Sequence, residues 1–184
     1  NYQVDANTQA LFARYQWPLT EATKLTAGAR WERVQYDYDN LMLTGRTRDD
    51  GTACARGGCR FNRPADRQDT FSNLSPQLGL THLITAEQQL YANLSRGFRA
   101  PQTSELYRLQ GSQEVTDIDV VQLDSLELGI RGGGADWSYD ASLYAMKKSN
   151  FIFRDSDRFN VDNAKTRHRG LELTLSKNLN EQLT

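Results

Sequence analysis

Apolar and polar residues alternate with a period of two along most of this chain, which is the pattern of strands with one apolar face. Residues 8–17 put Leu11, Ala13, Tyr15 and Trp17 on one side. Residues 24–38 put Leu25, Ala27, Ala29 and Trp31 opposite Thr26, Gly28, Arg30 and Glu32. The parity changes near Arg33, after which Val34, Tyr36 and Tyr38 share a face, so a bulge is expected there. Further strands are predicted over 71–84, from Leu90 onward, and over 122–131, 137–153 and 167–177. Their apolar faces carry Leu78 and Leu80; Leu90, Ala92 and Leu94; Leu126, Leu128 and Ile130; Trp137, Tyr139, Ala141 and Leu143; and Leu171, Leu173 and Leu175. No segment has a helical period.

The connections predicted between these strands fall into two alternating classes. Those near 20–23, 85–88, 132–136 and 178–181 are short, and those near 39–70, 99–121 and 154–166 are long and polar. Antiparallel up-and-down strands give this alternation when one rim holds tight turns and the other holds elaborated loops, as in a transmembrane β-barrel. Trp17, His82 and Trp137 all fall beside short turns on the apolar face, the expected place of an interfacial girdle.

The opposite face carries Arg14, Gln16, Arg30, Glu32, Asn93, Glu127, Arg131, Asp140 and Glu172. In a small soluble barrel these charges would be buried unpaired, at several kcal/mol each. In a wide barrel they face water or a polar plug. Membrane helices are excluded, since no run approaches the ~18 apolar residues that one needs. A net charge of −1 gives no basic excess to suggest nucleic acid.

The chain begins at Asn1 without a leader and ends at Thr184 within what reads as another strand, so it is expected to be a piece of a longer protein. Cys54 and Cys59 lie close together in GTACARGGCRF. In an oxidising compartment they are expected to form a local disulfide, with free thiols as the alternative. Two cysteines without a nearby histidine do not make a zinc site, and no structural metal or cofactor is expected.

Two segments carry a family resemblance. The first is LYANLSRGFRAPQTSELYR, with Gly97, Phe98, Arg99, Ala100, Pro101, Glu105, Leu106 and Tyr107. The second is NAKTRHRGLELTL, with Asn163, Arg169, Gly170 and Glu172. In this order, with QLDSLELGIRG between them, they resemble the β-barrel of TonB-dependent outer-membrane receptors over essentially the whole chain. The resemblance implies an all-β fold: about 7–8 antiparallel strands of a transmembrane barrel of the type with about 22 strands around a plugged lumen. Residues 1–184 would then be a partial barrel domain, with the plug and the remaining strands outside this chain.

It further implies a receptor in the outer membrane of a Gram-negative bacterium. Such a receptor imports a ferric siderophore, cobalamin or a similar metal complex, energised by TonB acting through the plug. Haem is disfavoured, because the NPNL segment that accompanies FRAP in haem receptors is missing and residues 99–121 hold no histidine. The FRAP segment is expected to shape the wall, with Arg96 and Arg99 pairing with carboxylates such as Glu105 or Glu127.

Residues 39–70 carry Arg46, Arg48, Arg56, Arg60, Arg63 and Arg67, interleaved with Asp49, Asp50, Asp66 and Asp69. Arg56, Arg60 and Arg63 are candidate contacts for an anionic metal chelate or for lipopolysaccharide phosphates, and a solvated loop of mixed charge is the plainer alternative. Outer-membrane lipid is the other expected partner. No hydrolase, phosphate-loop or dinucleotide motif occurs, and an enzyme is not expected. A passive porin-like channel and a soluble β-sheet binding domain are the competing functional readings.

Overall fold

The alternating segments pair in the order in which the chain delivers them. The computed structural model describes residues 2–41, 52, 63–110, 113 and 115–178. It contains strands β1 (Tyr2–Pro18), β2 (Thr23–Asn40), β3 (Arg67–Thr85) and β4 (Gln88–Arg99), a short helix α1 (Thr103–Tyr107), and strands β5 (Val121–Gly133), β6 (Trp137–Arg154) and β7 (Asn160–Lys177). The seven strands form one antiparallel sheet in the order β1-β2-β3-β4-β5-β6-β7. The sheet is open, with β1 and β7 as its edges. Its tight turns are at 19–22, 86–87 and 134–136, as the alternation predicts.

Register places the apolar residues on one face. Trp17, Leu25, Leu80, Ala92, Leu128, Leu143 and Leu171 form one continuous cross-strand row. The apolar stretch slips along these rows from strand to strand. On β1 it runs from Leu11 to Trp17, whereas on β7 it runs from Leu171 to Leu175, past the turn end of β1 in the same register. An apolar band oblique to the hydrogen-bonded rows is what tilted strands in a barrel wall produce. Large side chains are left bare along it: Tyr15, Leu94, Leu128, Leu143, Leu171 and Leu175 are all exposed.

The strands run 12–19 residues, whereas a tilted strand crosses a bilayer in about 9–11. The surplus lies at the long-loop end, where the polarity of the two faces inverts. On β2 the outward residues become Arg33, Gln35, Asp37 and Asp39, while Val34, Tyr36 and Tyr38 face inward. Pairing through Arg33 is unbroken on both sides, with partners Gln9 and Ser72, so the bulge expected there does not exist. The parity change reflects a change of surroundings. Beyond the apolar band the outward face meets water, and the inward face packs on a folded loop.

The same inversion hid other strand ends from the sequence. β1 begins at Tyr2, β3 at Arg67 and β7 at Asn160, earlier than the alternation indicated. The connection predicted as long over 154–166 shrinks to five residues, 155–159. Register shifts lie instead between Leu83 and Thr85 and around Lys148, Phe151 and Phe153, next to Asn150, whose φ is 54°. α1 is also new. Five residues are too few to display a helical period.

Candidate functional site

The inward face of the sheet is polar through its middle. Arg14, Gln16, Lys24, Glu127, Arg131 and Asp140 border a hollow of about 720 Å3. Here Asn93 Nδ2 donates to Glu127 Oε2 at 3.2 Å and the Tyr91 hydroxyl donates to Asp140 Oδ1 at 2.7 Å. The Arg131 guanidinium lies 5.4 Å from the Tyr91 ring centre. Arg30 pairs with Glu32 at 2.6 Å along β2. Such a surface is matched to water or to another polar body and offers no apolar core.

Two glycines let aromatic rings lie flat on this wall. Gly129 is the cross-strand partner of Tyr91, and Gly170 that of Tyr144. A Cβ at Gly170 would come within 2.6 Å of Tyr144 Cζ, and one at Gly129 would meet the Tyr91 ring as closely. Glycine therefore serves close approach here, and the ring shields the backbone that the glycine leaves bare.

At the long-loop end the FRAP segment becomes a clasp. β4 ends at Arg99, and the buried Pro101, lacking an N–H, stops the ladder. One turn of helix follows, capped by Glu105, whose Oε2 accepts from the Gln102 N–H at 2.6 Å. The same carboxylate takes both arms of the Arg99 guanidinium, at 2.9 and 3.1 Å. A bidentate ion pair thus ties the helix back to the strand it has just left.

The clasp drives Leu106 and Tyr107 into the inverted face of the sheet. Tyr38, Leu106, Tyr107, Ile118, Val121 and Ile152 form a buried cluster, with Tyr2, Val4, Tyr36 and Phe71 packed against it. Tyr107 and Tyr38 stack at 4.2 Å. The Tyr107 hydroxyl donates to Asp69 Oδ2 at 2.7 Å, while Arg67 pairs with the other oxygen of Asp69 and donates to the Thr116 carbonyl at 3.2 Å. Asn160 donates to the Glu105 carbonyl at 2.8 Å and exchanges two bonds with Gln113. Burial pushes the Tyr38 phenol up to about 12, opposed by the nearby Arg63 charge. Burial and the hydrogen bond to Asp69 push that of Tyr107 up further still.

The other expected site residues are placed as follows. Arg96 pairs with Asp124 at 2.6 Å on the outward face; it does not pair with Glu127, which lies on the inward face. Gly97 faces inward and Phe98 outward at the end of β4, and Ala100 joins that strand to Pro101. Arg63 donates to the Tyr107 carbonyl at 3.3 Å and sits 4.8 Å above the Tyr2 ring, inside the loop structure. Arg56, Arg60, Cys54 and Cys59 lie outside the described residues, so the expected arginine group and disulfide have no coordinates to compare. Asn163, Arg169, Gly170 and Glu172 all belong to β7, with Arg169 outward and Gly170 and Glu172 on the inward face, opposite Tyr144 and Ser142. Near the turns, His82 Nδ1 lies 2.9 Å from Thr23 Oγ1, and Trp137 stacks on Tyr139. Among the described residues no group of three or more His, Cys, Asp or Glu could hold a metal ion.

Sequence reasoning missed Asn160 and Gln113, and it placed Arg67 and Asp69 in a charged loop, whereas all four hold the loop core together. Its available signal was the inward run Val34, Tyr36, Tyr38, which marks where a loop must cover the wall.

An oblique apolar band, a charged lumen face and an inward-folded loop at one rim together describe part of a large barrel wall. A family profile described as TonB dependent receptor-like, beta-barrel matches residues 1–184. This chain belongs to the TonB-dependent receptor family. Solved receptors share its fold. The copper transporter OprC aligns with a TM-score of 0.73 and 20% identity over 97% of this chain and 26% of its own. The ferric-catecholate import receptor Fiu from E. coli K12, in its closed form, aligns with a TM-score of 0.73 and 17% identity, covering 98% and 26%. The Serratia marcescens hemophore receptor HasR, solved with its hemophore HasA and heme, aligns at 0.69 and 19%, covering 92% and 31%. The chain thus spans about a quarter to a third of the length of these receptors.

Proposed function

We propose that this receptor segment is one sector of the barrel of an outer-membrane importer for a ferric siderophore or a similar bulky metal complex. The sector lies in the outer membrane of a Gram-negative bacterium, with tight turns toward the periplasm and long loops outside. The reading is carried by the loop between β4 and β5, which the Arg99–Glu105 clasp folds inward over the lumen face, and not outward into solvent. A wall built this way narrows the outer mouth of the lumen and gives a large ligand a fixed rim to settle against. The charged hollow beneath it suits a polar plug, which this reading places outside the chain, together with the TonB contact that would supply energy. Arg56, Arg60 and Arg63 remain the proposed contacts for an anionic chelate, with Arg63 also bracing the loop.

The test is growth of a strain lacking the full-length gene on single ferric-siderophore, copper-complex or cobalamin sources, with and without TonB. Loss of growth on one source in both the receptor and the TonB deletions supports the reading. Uptake that persists without TonB would favour a passive channel.

A further inference from the structure

β3 and β4 separate at the long-loop end. β3 pairs with β2 from Arg67 to His82, but with β4 only from Gln77 to Thr85, and β4 continues to Arg99 paired with β5 alone. One residue causes the split. The Leu83 N–H donates to the Ala22 carbonyl at 2.8 Å, which fixes the alternation of the β2–β3 ladder. Odd-numbered residues of β3 bond to β2, and even-numbered ones point their N–H and C=O toward β4. The bond from the Gly133 N–H to the Glu87 carbonyl, at 3.2 Å, likewise turns the even residues of β4 toward β3. Leu78 and Leu94 therefore form a hydrogen-bonded pair, and the next such pair would be Pro76 with Arg96. Pro76 has no N–H to give, and the ladder stops there.

Beyond Pro76 two rows of backbone groups flank the split: those of Gln68, Thr70, Ser72 and Leu74 on β3, and those of Arg96 and Phe98 on β4. Among the described residues nothing bonds to these N–H and C=O groups. Gln68, Thr70 and Ser72 stand opposite Asp37, Gln35 and Arg33 of β2, so this part of the edge lies past the apolar band, where water reaches it. A Cβ at Gly97 would meet nothing within 4 Å, so the inward side of the β4 end has room as well. Proteins blunt a bare strand edge with charges, short length or a cover. Here the edge runs from Arg67 to Pro76, and the residues that present its free groups on β3 are all uncharged.

We infer that the split is a docking edge for an extended polypeptide segment of a protein outside the cell, which adds a strand to β3. Free N–H and C=O groups that recur at every second residue along a straight edge are matched by the backbone of another strand. A compact chelate or a lipid headgroup meets one or two of them at most. The docked segment bonds to Gln68, Thr70, Ser72 and Leu74, and the space beside Gly97 takes one of its inward side chains. The inference rests on the proposal that the long-loop end faces outward, and it is independent of the transported substrate.

The test selects a phage-displayed library of random peptides of about ten residues on the full-length receptor in detergent. Selected peptides should slow hydrogen exchange at the amides of Gln68, Thr70, Ser72 and Leu74. Thr70→Pro with Ser72→Pro removes two of the free N–H groups and leaves the β2 ladder intact, so it should weaken binding at least about tenfold. Methylating every second backbone nitrogen of the peptide, in the set that points at β3, should do the same on the wild-type receptor, which keeps the test decisive if the proline variant does not fold. Equal binding by the folded proline variant or by the methylated peptide overturns the proposal. So does protection confined to other strands, or a library from which nothing is enriched over empty micelles. Receptor dimers that the two prolines abolish would assign the edge to a second copy and overturn the partner proposed. A receptor that binds peptides at this edge and imports nothing would refute only the import reading.

Discussion

Tyr107 of α1 lies flat on Tyr38 of β2, with ring centroids 4.2 Å apart and ring planes inclined by 23°. This contact joins the loop after β4 to a strand that is not its neighbour in the sheet. The pairing of β4 with its neighbours cannot supply such a link, so the contact between α1 and β2 is made by side chains. Tyr107 is fully buried and carries the hydrogen bond to Asp69 as well.

Tyr107→Ala should therefore cost about 3–5 kcal/mol of local stability, as for other buried aromatic truncations. The loss should be confined to the loop core. Hydrogen exchange on the full-length receptor should speed up over residues 101–120 and leave the middle of β5 and β6 unchanged. No acceleration in the loop would show that the stack does not hold it.

Alkaline pH should loosen the same core. The Tyr38 phenol is raised from 10.0 to about 12, and Tyr107 is raised as well. An acid whose folded value is raised favours the fold while it is protonated. Its contribution is complete below pH 10.0 and is lost as pH climbs from there to about 12. Tyrosinate absorbance should show a late-titrating fraction in wild type that shrinks in Tyr38→Phe. Loop exchange should quicken across that window.

Gly170→Ala should destabilise the wall by about 1–3 kcal/mol, because its Cβ collides with the Tyr144 ring. Tyr144→Ala should relieve most of that penalty, so the two changes should couple strongly in a double-mutant cycle of unfolding in detergent. Additive effects would mean that the ring does not rest on the glycine.

Leu128→Arg should impair assembly into lipid vesicles far more than Glu127→Arg. Leu128 is half exposed within the apolar band, where arginine near the midplane costs about 2–4 kcal/mol, and lumen changes are tolerated. Glu127 faces the hollow, where its partner Asn93 can readjust. Equal folding yields would refute the assignment of the faces.

The sequence alone determined the strands of the apolar band, their faces, the tight turns and the antiparallel order. Within a membrane the two sides of a strand meet such different surroundings that each position must be apolar or polar, and period two becomes legible. The family was legible for a related reason, since FRAP and ELY must carry a clasp in fixed spacing. Tertiary structure alone decided what happens beyond the band. There, water on one side and a loop on the other reverse the code, so Val34, Tyr36 and Tyr38 read as a bulge although their register is unbroken. It also decided the pairings. Arg99 finds Glu105 because a proline and one helical turn bring the chain back, whereas Arg96 faces the other way and finds Asp124 on the next strand. Alternation says on which side of a strand a charge lies, but only the register between strands says which charge it meets.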